Sequence, residues 1–305
     1  MADRRIFCIT RNSMPPDYPQ ITATVCHDAG AGNIVIAGLL ETGRSDWRAY
    51  MRGPAEKLWK AAYPEVALCD ALDSALDGAE LLITGTGWGS DVEHEARRLA
   101  RSRGIRSVAV IDHWVNYTER FIRHGETVWP DEFWVTDDYA MEIAKSTFPG
   151  QPVYQVPNRY METQLRAVAQ VEQAETPELL YVLEPIRSDW GRGTRGEFQA
   201  LDYFVSHLPQ MGLPSTTVIR LRPHPSDACG KYFDWVARHP TLNIQLDDSL
   251  SIVESLGRSS WVAGCETFAL VLALMAGRKV YCTLPPWAPV CRLPHQGLIH
   301  IGKGS

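Results

Sequence analysis

Short apolar or β-branched runs recur along the chain. Each is followed by a polar or glycine-rich break and then by a stretch of helical spacing. Continuous apolar runs of this length read as strands covered on both faces, which have no polar side to alternate. In the first half they lie at 21–26 (ITATVC), 65–69, 81–84, 107–111 (SVAVI), 133–135 and 153–156, with 5–10 as a first or edge strand. In the second half they lie at 179–183 (LLYVL), 218–221, 243–246, 261–263 and 279–283. Helices are predicted between them, ending near Leu40, at 54–62 and 71–76, from Ser90 or Asp91 onward, and at 161–175, 197–208, 228–238, 250–256 and 268–276. Strand, loop and helix in repetition predict an α/β fold with parallel, doubly wound sheets. The polar helix at 161–175, followed by Thr176-Pro177-Glu178, predicts a linker. Two domains result, 1–175 and 176–305, the second ending in a proline-rich loop from Pro285.

In such sheets ligands bind at the carboxyl ends of the strands, so the residues just after each run carry the candidate chemistry. The stretch 216–227 (TTVIRLRPHPSD) is the most informative. Its strand breaks into Arg222-Pro223-His224-Pro225, and prolines cannot continue a central strand because they lack a backbone donor. Arg222 and His224 are therefore expected on one stiff loop, with Ser226 or Asp227 capping the next helix. Cationic groups beside a helix N-terminus suit a phosphate. The other reading of His224 is a loop histidine packed between prolines. The second half offers three further loops: Arg187 and Gly191 within 184–193, Ser259-Ser260, and Glu266-Thr267 ahead of an apolar helix.

In the first half the strand ends carry His27-Asp28, Gly85 to Gly89, Asp112-His113 and Asp137-Asp138. His27-Asp28 leads into a loop with Gly30 and Gly32, where backbone is open to close approach. G-A-G is not the full dinucleotide fingerprint, and no acid follows at the expected distance, so no NAD site is read there. Each group has a structural reading beside the functional one. Ser259 and Ser260 read as a polar turn or a phosphate contact. Glu266 reads as a partner of the helix dipole or of a sugar hydroxyl. His27, Asp28 and Asp112 read as strand-end turns and caps or as an acceptor-side base. Asp137 and Asp138 read as helix caps. Trp88 and Trp114 read as packing residues ahead of sugar stacking.

Composition narrows the classes. The chain has 305 residues, 45% hydrophobic and 22% charged, with a net charge of -6. No basic nucleic-acid face emerges, because Arg97, Arg98, Arg101, Arg103 and Arg106 read as a solvated helix face. The 7 cysteines form no C-x-x-C pair and no zinc-spaced cluster, and Cys8, Cys69 and Cys282 sit in apolar runs as small hydrophobes. That usage fits a reducing cytoplasm. Neither a signal peptide nor a bilayer-spanning run is read.

With these residues in view, the chain resembles the GT-B class of glycosyltransferases. His224-Pro225 resembles the H-P motif of bacterial sialyltransferases and related capsule-type transferases, including nonulosonic acid and Kdo enzymes. Ser259-Ser260 resembles their paired-serine motif. Gly264-Cys265-Glu266-Thr267 ahead of an apolar helix resembles the element that meets donor phosphate and sugar. Their D/E-D-G motif has no clear match in the first half. The resemblance implies two Rossmann-like domains whose parallel sheets face a central cleft, with the acceptor domain first and the donor domain second. It implies transfer of a sugar from a nucleotide donor, best read as a CMP-linked nonulosonic acid, to a hydroxyl on a glycan, lipid or protein. No metal or cofactor is expected. His224 and Arg222 would offset leaving-group charge on the phosphate. Donor contacts would come from Arg187, Gly191, Arg222, His224, Pro225, Ser259, Ser260, Glu266 and Thr267. Asp112 is the favoured base, then Asp28 and His27, with acceptor contacts from Gly30, Gly32, Gly87, Trp88 and His113. A UDP-sugar 2-epimerase of the same architecture and a non-catalytic binding module are the alternatives. Peripheral membrane contact is compatible with an acceptor on lipid.

Overall fold

The structure, a computed structural model, describes residues 18–87 and 89–302. The strand expected at 5–10 and the candidate Trp88 lie outside the described residues. The described chain divides into two compact units, with the boundary between Tyr160 and Met161.

Unit 1 contains β1 (Thr22–Cys26), α1 (Ala29–Leu40), β2 (Arg48–Met51), α2 (Gly53–Ala62), α3 (Leu72–Leu76), β3 (Leu81–Thr84), α4 (Val92–Arg103) and β4 (Arg106–Val110). A two-stranded hairpin, β5 (Ile122–Arg123) and β6 (Glu126–Thr127), precedes β7 (Glu132–Val135), α5 (Asp138–Thr147) and β8 (Val153–Gln155). The main sheet runs β2-β1-β3-β4-β7-β8 and every pairing in it is parallel. Every residue of β1 and β3 is buried, as a parallel sheet covered on both faces requires. On one face Trp47, Trp59, Ile34 and Leu39 pack with Trp134. On the other, Leu76, Ala96 and Ala100 pack on Ala23, Val25 and Leu82.

Helix α6 (Arg159–Val168) spans the boundary. Unit 2 continues with β9 (Glu178–Val182), α7 (Gly196–His207), β10 (Val218–Arg222), α8 (Phe233–Ala237), β11 (Ile244–Leu246), α9 (Ile252–Arg258), β12 (Trp261–Gly264), α10 (Phe268–Met275), β13 (Lys279–Cys282) and β14 (Leu298–His300). Its sheet is also all parallel, in the order β11-β10-β9-β12-β13-β14. Tyr181, Leu183, Phe204, Leu221 and Trp235 build its core. Glu178, 3% exposed, is tolerated in β9 because Arg220 and Arg258 both approach its carboxylate at 2.9 Å.

Several expectations are corrected. Residues 65–69 are not a strand. The strand is Arg48–Met51, whose half-buried Arg48 and Tyr50 hid it, and the 65–69 segment only meets its edge through the Cys69 N–H to Ala49. The tail after Pro285 is not all loop, since β14 adds the last strand to the sheet. Arg97 is not on a solvated face: it is 1% exposed, with its guanidinium on Thr84 Oγ1 and the Gly85 and Val128 carbonyls. Burial lowers its pKa to about 10.

Candidate functional site

A doubly wound sheet opens a crevice where neighbouring strands send their connections to opposite sides, outside the carboxyl ends. In unit 1 the strand order places that point between β1 and β3. The residues following β1, β3 and β4 meet there. His27 Nδ1 and Asp28 Oδ1 are 2.7 Å apart, with the two side chains 22% and 32% exposed. The His27 backbone N–H donates to Glu93 Oε1 at 3.0 Å. Glu93 is buried in the first turn of α4, and burial raises its carboxyl pKa. Asp112, after β4, accepts from Arg120 Nη1 at 2.7 Å. Arg120 is itself buried and further pinned by Thr86 Oγ1, the Thr86 carbonyl and the Val115 carbonyl.

Glycines make room for these side chains. A Cβ on Gly30 would stand 1.9 Å from Asp112 Oδ2, and one on Gly87 would stand 2.3 Å from Asp28 Oδ2. A Cβ on Gly53 would meet His27 Nε2 at 2.6 Å, and one on Gly89 would meet Asp28 Oδ1 and the His27 ring at 3.2 Å. Contacts below 3.0 Å are ones real Cβ atoms essentially never make. So the two carboxylates and the imidazole occupy space that any larger residue would fill. Gly30 and Gly32 correct the sequence reading in one respect. They belong to the first turn of α1, not to a loop, because the helix already begins at Ala29. Gly32 serves packing, with its hydrogen facing Ala55 of α2.

The other unit 1 candidates separate from this cluster. Trp114 is 5% exposed and donates its indole N–H to Asp137 at 2.8 Å, which is a packing role. Asp137 also accepts from the Ala140 N–H and caps α5 as expected. His113 lies half-buried beside Trp114, ring centroids 5.3 Å apart.

In unit 2 the corresponding crevice lies between β9 and β12. Glu184, just past β9, fills it from within: its Oε1 accepts the backbone N–H groups of Cys265 and Glu266 at 3.1 and 2.7 Å. Burial, with Glu266 nearby, pushes the Glu184 pKa up to about 7 against the two amide hydrogen bonds. Glu266 in turn is gripped by Arg292, at 2.6 and 3.0 Å to Oε1 and through the Arg292 N–H to Oε2 at 2.6 Å. Thr267 caps α10 through its hydroxyl.

His224 lies on an exposed loop after β10. Its Nδ1 accepts from the Ser226 N–H at 3.2 Å and contacts Ser226 Oγ at 2.7 Å. An Nδ1 that accepts leaves Nε2 as the protonated, donating nitrogen. Behind it Asp227 accepts from the His224 N–H, Lys231 and Tyr232. Lys231 also reaches buried Glu197 at 2.8 Å. Burial alone would lower the Lys231 pKa, but these two carboxylates hold it above the usual range. Asp227 is therefore spent on the loop and does not cap a helix. Helix α8 starts later, at Phe233.

Arg222 is not on that loop. It is the last residue of β10, and its Nη1 donates to Asp247, Ser255 Oγ and the Ser249 carbonyl. The Asp247 side chain is fully buried and requires a cation. Its burial raises its pKa less than the Ser255, Arg222 and Ser249 hydrogen bonds lower it. Ser259 and Ser260 are not at this edge at all. They precede β12, at the amino end of the sheet, where the Ser260 N–H donates to the Glu178 carbonyl. Ser259 is fully buried just past the end of α9 and donates its hydroxyl back to the Ser255 carbonyl four residues earlier. The structure brings His224, Pro225, Glu266 and Thr267 to the carboxyl edge of unit 2, along with the 184–195 loop. There Asp189 accepts the Gly191 and Gly193 N–H groups, so the Gly191 amide is already taken. Arg187 is exposed on this loop.

Arg120, Glu93 and Glu184 were missed by the sequence reading. Their signal was the position of an ionisable residue within or beside an apolar element, which a reading of strand ends alone passes over.

No protein-family model matches the sequence, and no curated protein matches it. Solved structures do resemble it. UDP-GlcNAc 2-epimerase from Neisseria meningitidis, bound to UDP-GlcNAc, superposes with a TM-score of 0.60 at 11% identity, over 86% of this chain and 82% of that one. UDP-GlcNAc 2-epimerase from Methanocaldococcus jannaschii gives 0.57 at 10% identity, over 86% and 83%. The S. aureus protein MnaA, solved with UDP, gives 0.58 at 11% identity, over 86% and 78%. At such identities the likeness speaks to the fold. The chain consists of two Rossmann-like α/β units with parallel sheets, and its fold is GT-B.

Proposed function

We propose that the protein is an enzyme acting on a nucleotide sugar, and that it transfers the sugar to a hydroxyl. The observation carrying this reading is the unit 1 crevice, where Asp28 and Asp112 stand in glycine-cleared space and Asp112 is paired with buried Arg120. An acceptor hydroxyl must lose its proton as it attacks the anomeric carbon, and a positioned carboxylate can take it. Asp112 is the first choice for that base. Its Oδ1 is held by Arg120, which leaves Oδ2 for the proton. Asp28, oriented by His27, is the second. The donor phosphate is assigned to the loop of His224, whose Nε2–H is a donor on a braced backbone. Arg187 and the Glu266–Thr267 turn are assigned to the same ligand. Arg222 contributes by fixing the start of that loop.

For the donor nucleotide, the H-P motif points to CMP, while two of the similar solved structures are named with UDP-GlcNAc and with UDP. Thermal shift with CMP, UDP and GDP decides it, since a ligand that binds only the folded chain raises its melting temperature. One nucleotide is expected to stabilise the wild type and to do so less in His224→Ala. A flat response to all three sinks the reading and leaves a binding module.

A second reading, epimerisation at C2 of a UDP-sugar, is favoured by the crowding of His27, Asp28, Asp112 and Arg120 into one crevice, because removing and returning a carbon-bound proton needs acid and base groups together. Incubation with UDP-GlcNAc in deuterated water, without acceptor, separates the two. Deuterium at C2 of recovered sugar supports epimerisation, and its absence alongside transfer to an added acceptor supports the first reading.

A further inference from the structure

The chain after β13 returns to the carboxyl edge of unit 2 and brings two thiols together there. Cys282 ends β13 and is 1% exposed, while Cys291 lies half-buried in the loop that follows. Both Sγ atoms donate to one acceptor, the carbonyl oxygen of Cys265, at 3.3 and 3.9 Å. Sharing a single acceptor holds two donors close. When Cys291 is ionised it has no hydrogen to give, and the single Cys282 S–H can turn from that carbonyl to the Cys291 sulfur. That bond favours the thiolate on Cys291 and disfavours it on Cys282. Exposure and charge therefore agree on which sulfur meets a reagent first, since the thiolate is the nucleophile.

The segment between them is tied down at its middle and just past its far end. Trp287 donates to Gln199 at 2.7 Å and carries the Arg192 guanidinium 3.9 Å over its ring. Arg292, next to Cys291, grips Glu266. A covalent link between the two sulfurs would thus close a short loop that forms one wall of this edge.

We propose that Cys282 and Cys291 are a dithiol site that reduces a small-molecule disulfide, of the oxidised-glutathione class, and becomes an intramolecular disulfide. In the first step the Cys291 thiolate attacks one sulfur of the small disulfide. A protein–small-molecule S–S bond forms, and one small thiolate leaves. In the second step the Cys282 thiol gives up its proton to water or the departed thiolate and attacks Cys291 Sγ. The Cys282–Cys291 bond forms, and the second small thiolate leaves and is protonated. Two protein thiols are oxidised and one small disulfide is reduced to two thiols. Closing the loop fixes Arg292 relative to β13, and through it Glu266. That effect on ligand recognition rests on the proposed function, whereas the disulfide itself does not.

The test uses the full chain, incubated with excess oxidised glutathione, alkylated, digested without reductant and mapped by mass spectrometry. The expected product joins the Cys282 and Cys291 peptides, loses two of the 7 thiols and is reversed by dithiothreitol. Cys282→Ser should stop at a glutathione adduct on Cys291, and Cys291→Ser should form no disulfide at Cys282. A wild-type chain that ends as a lasting adduct on Cys291, that links either residue to Cys265, or that keeps all its thiols while folded by circular dichroism overturns the proposal. Thermal shift with nucleotide on the reduced and oxidised forms is read separately. A nucleotide response missing from both counts against the functional reading and leaves the mapped disulfide standing.

Discussion

The two units share one construction, an all-parallel sheet with its crevice at the reversal of strand order, yet they fill that crevice differently. In unit 1 the crevice is lined by polar side chains from two strand ends, His27 and Asp28 after β1 and Asp112 after β4, and glycines make room for them. In unit 2 a single carboxylate, Glu184, reaches across and binds the two amides that open the turn into α10. The first arrangement leaves His27, Asp28 and Asp112 partly exposed, with Asp112 paired to buried Arg120. The second spends its charge on backbone. Sheet topology thus says where chemistry can sit, while the residue that meets the neighbouring backbone decides whether the crevice presents groups or consumes them.

That contrast breaks most visibly if the unit 1 carboxylates are idle. Asp112→Asn is expected to lower turnover by about 10²- to 10⁴-fold with nucleotide stabilisation retained, measured by steady-state rates and thermal shift. Asp28→Asn ranks the two candidates, and full activity in both variants would put the base elsewhere. Gly30→Ala should lose turnover to a similar degree without touching an ionisable group, because its Cβ takes the place of Asp112 Oδ2. Unchanged rates in Gly30→Ala would show that the Asp112 position does not matter.

Unit 2 is sharpened by pH. The Glu184 pKa stands at about 7 in the fold against an ordinary 4.5, so the fold holds this proton more tightly than the unfolded chain does. The penalty is absent below pH 4.5, grows as pH rises toward 7 and is constant above it. Glu184→Gln keeps an oxygen for both amides and removes the charge. At pH 8 it should be more stable than wild type by up to about 3 kcal/mol, with the advantage vanishing near pH 4. Denaturant midpoints at the two pH values read this, and equal midpoints at pH 8 would mean that Glu184 is not strained by burial. His224→Ala should weaken nucleotide binding by about 1.5–3 kcal/mol, the range for a hydrogen bond to a charged group, as measured calorimetrically. The smallest effect belongs to Gly38→Ala. Nothing lies within 4 Å of its missing Cβ in the last turn of α1, so the change should raise stability by up to about 0.5–1 kcal/mol and leave turnover alone.

The sheets were legible because a buried parallel strand shows a short, mainly apolar or β-branched run. The runs at β1, β3, β9 and β10 announce themselves within a residue or two of their ends. β2 did not, because a strand near the sheet edge carries Arg48 and Tyr50 half-exposed. The strand-end rule also found His27, Asp28 and Asp112, which the fold does gather. It failed where a polar residue serves another buried one. Arg222 answers Asp247, a residue 25 positions away with no local pattern to betray it. Ser259 satisfies its own helix. Arg120 is recognisable only once β4 and the turn before the hairpin are folded together. Motif resemblance misled in the same way, since the serine pair lies at the opposite end of the sheet from His224.

The glycine lining of the unit 1 crevice has an evolutionary side. Gly30, Gly53, Gly87 and Gly89 already carry the smallest side chain there is, and each stands against Asp112, Asp28 or His27. Drift at these positions can only add atoms. A lineage or a directed library could narrow this wall and tighten its choice of ligand, but could not enlarge it by trimming. Broader acceptance would have to come from the acids, the histidine or Arg120, on which the proposed chemistry depends, so selection for a bulkier ligand would find its openings elsewhere on the chain.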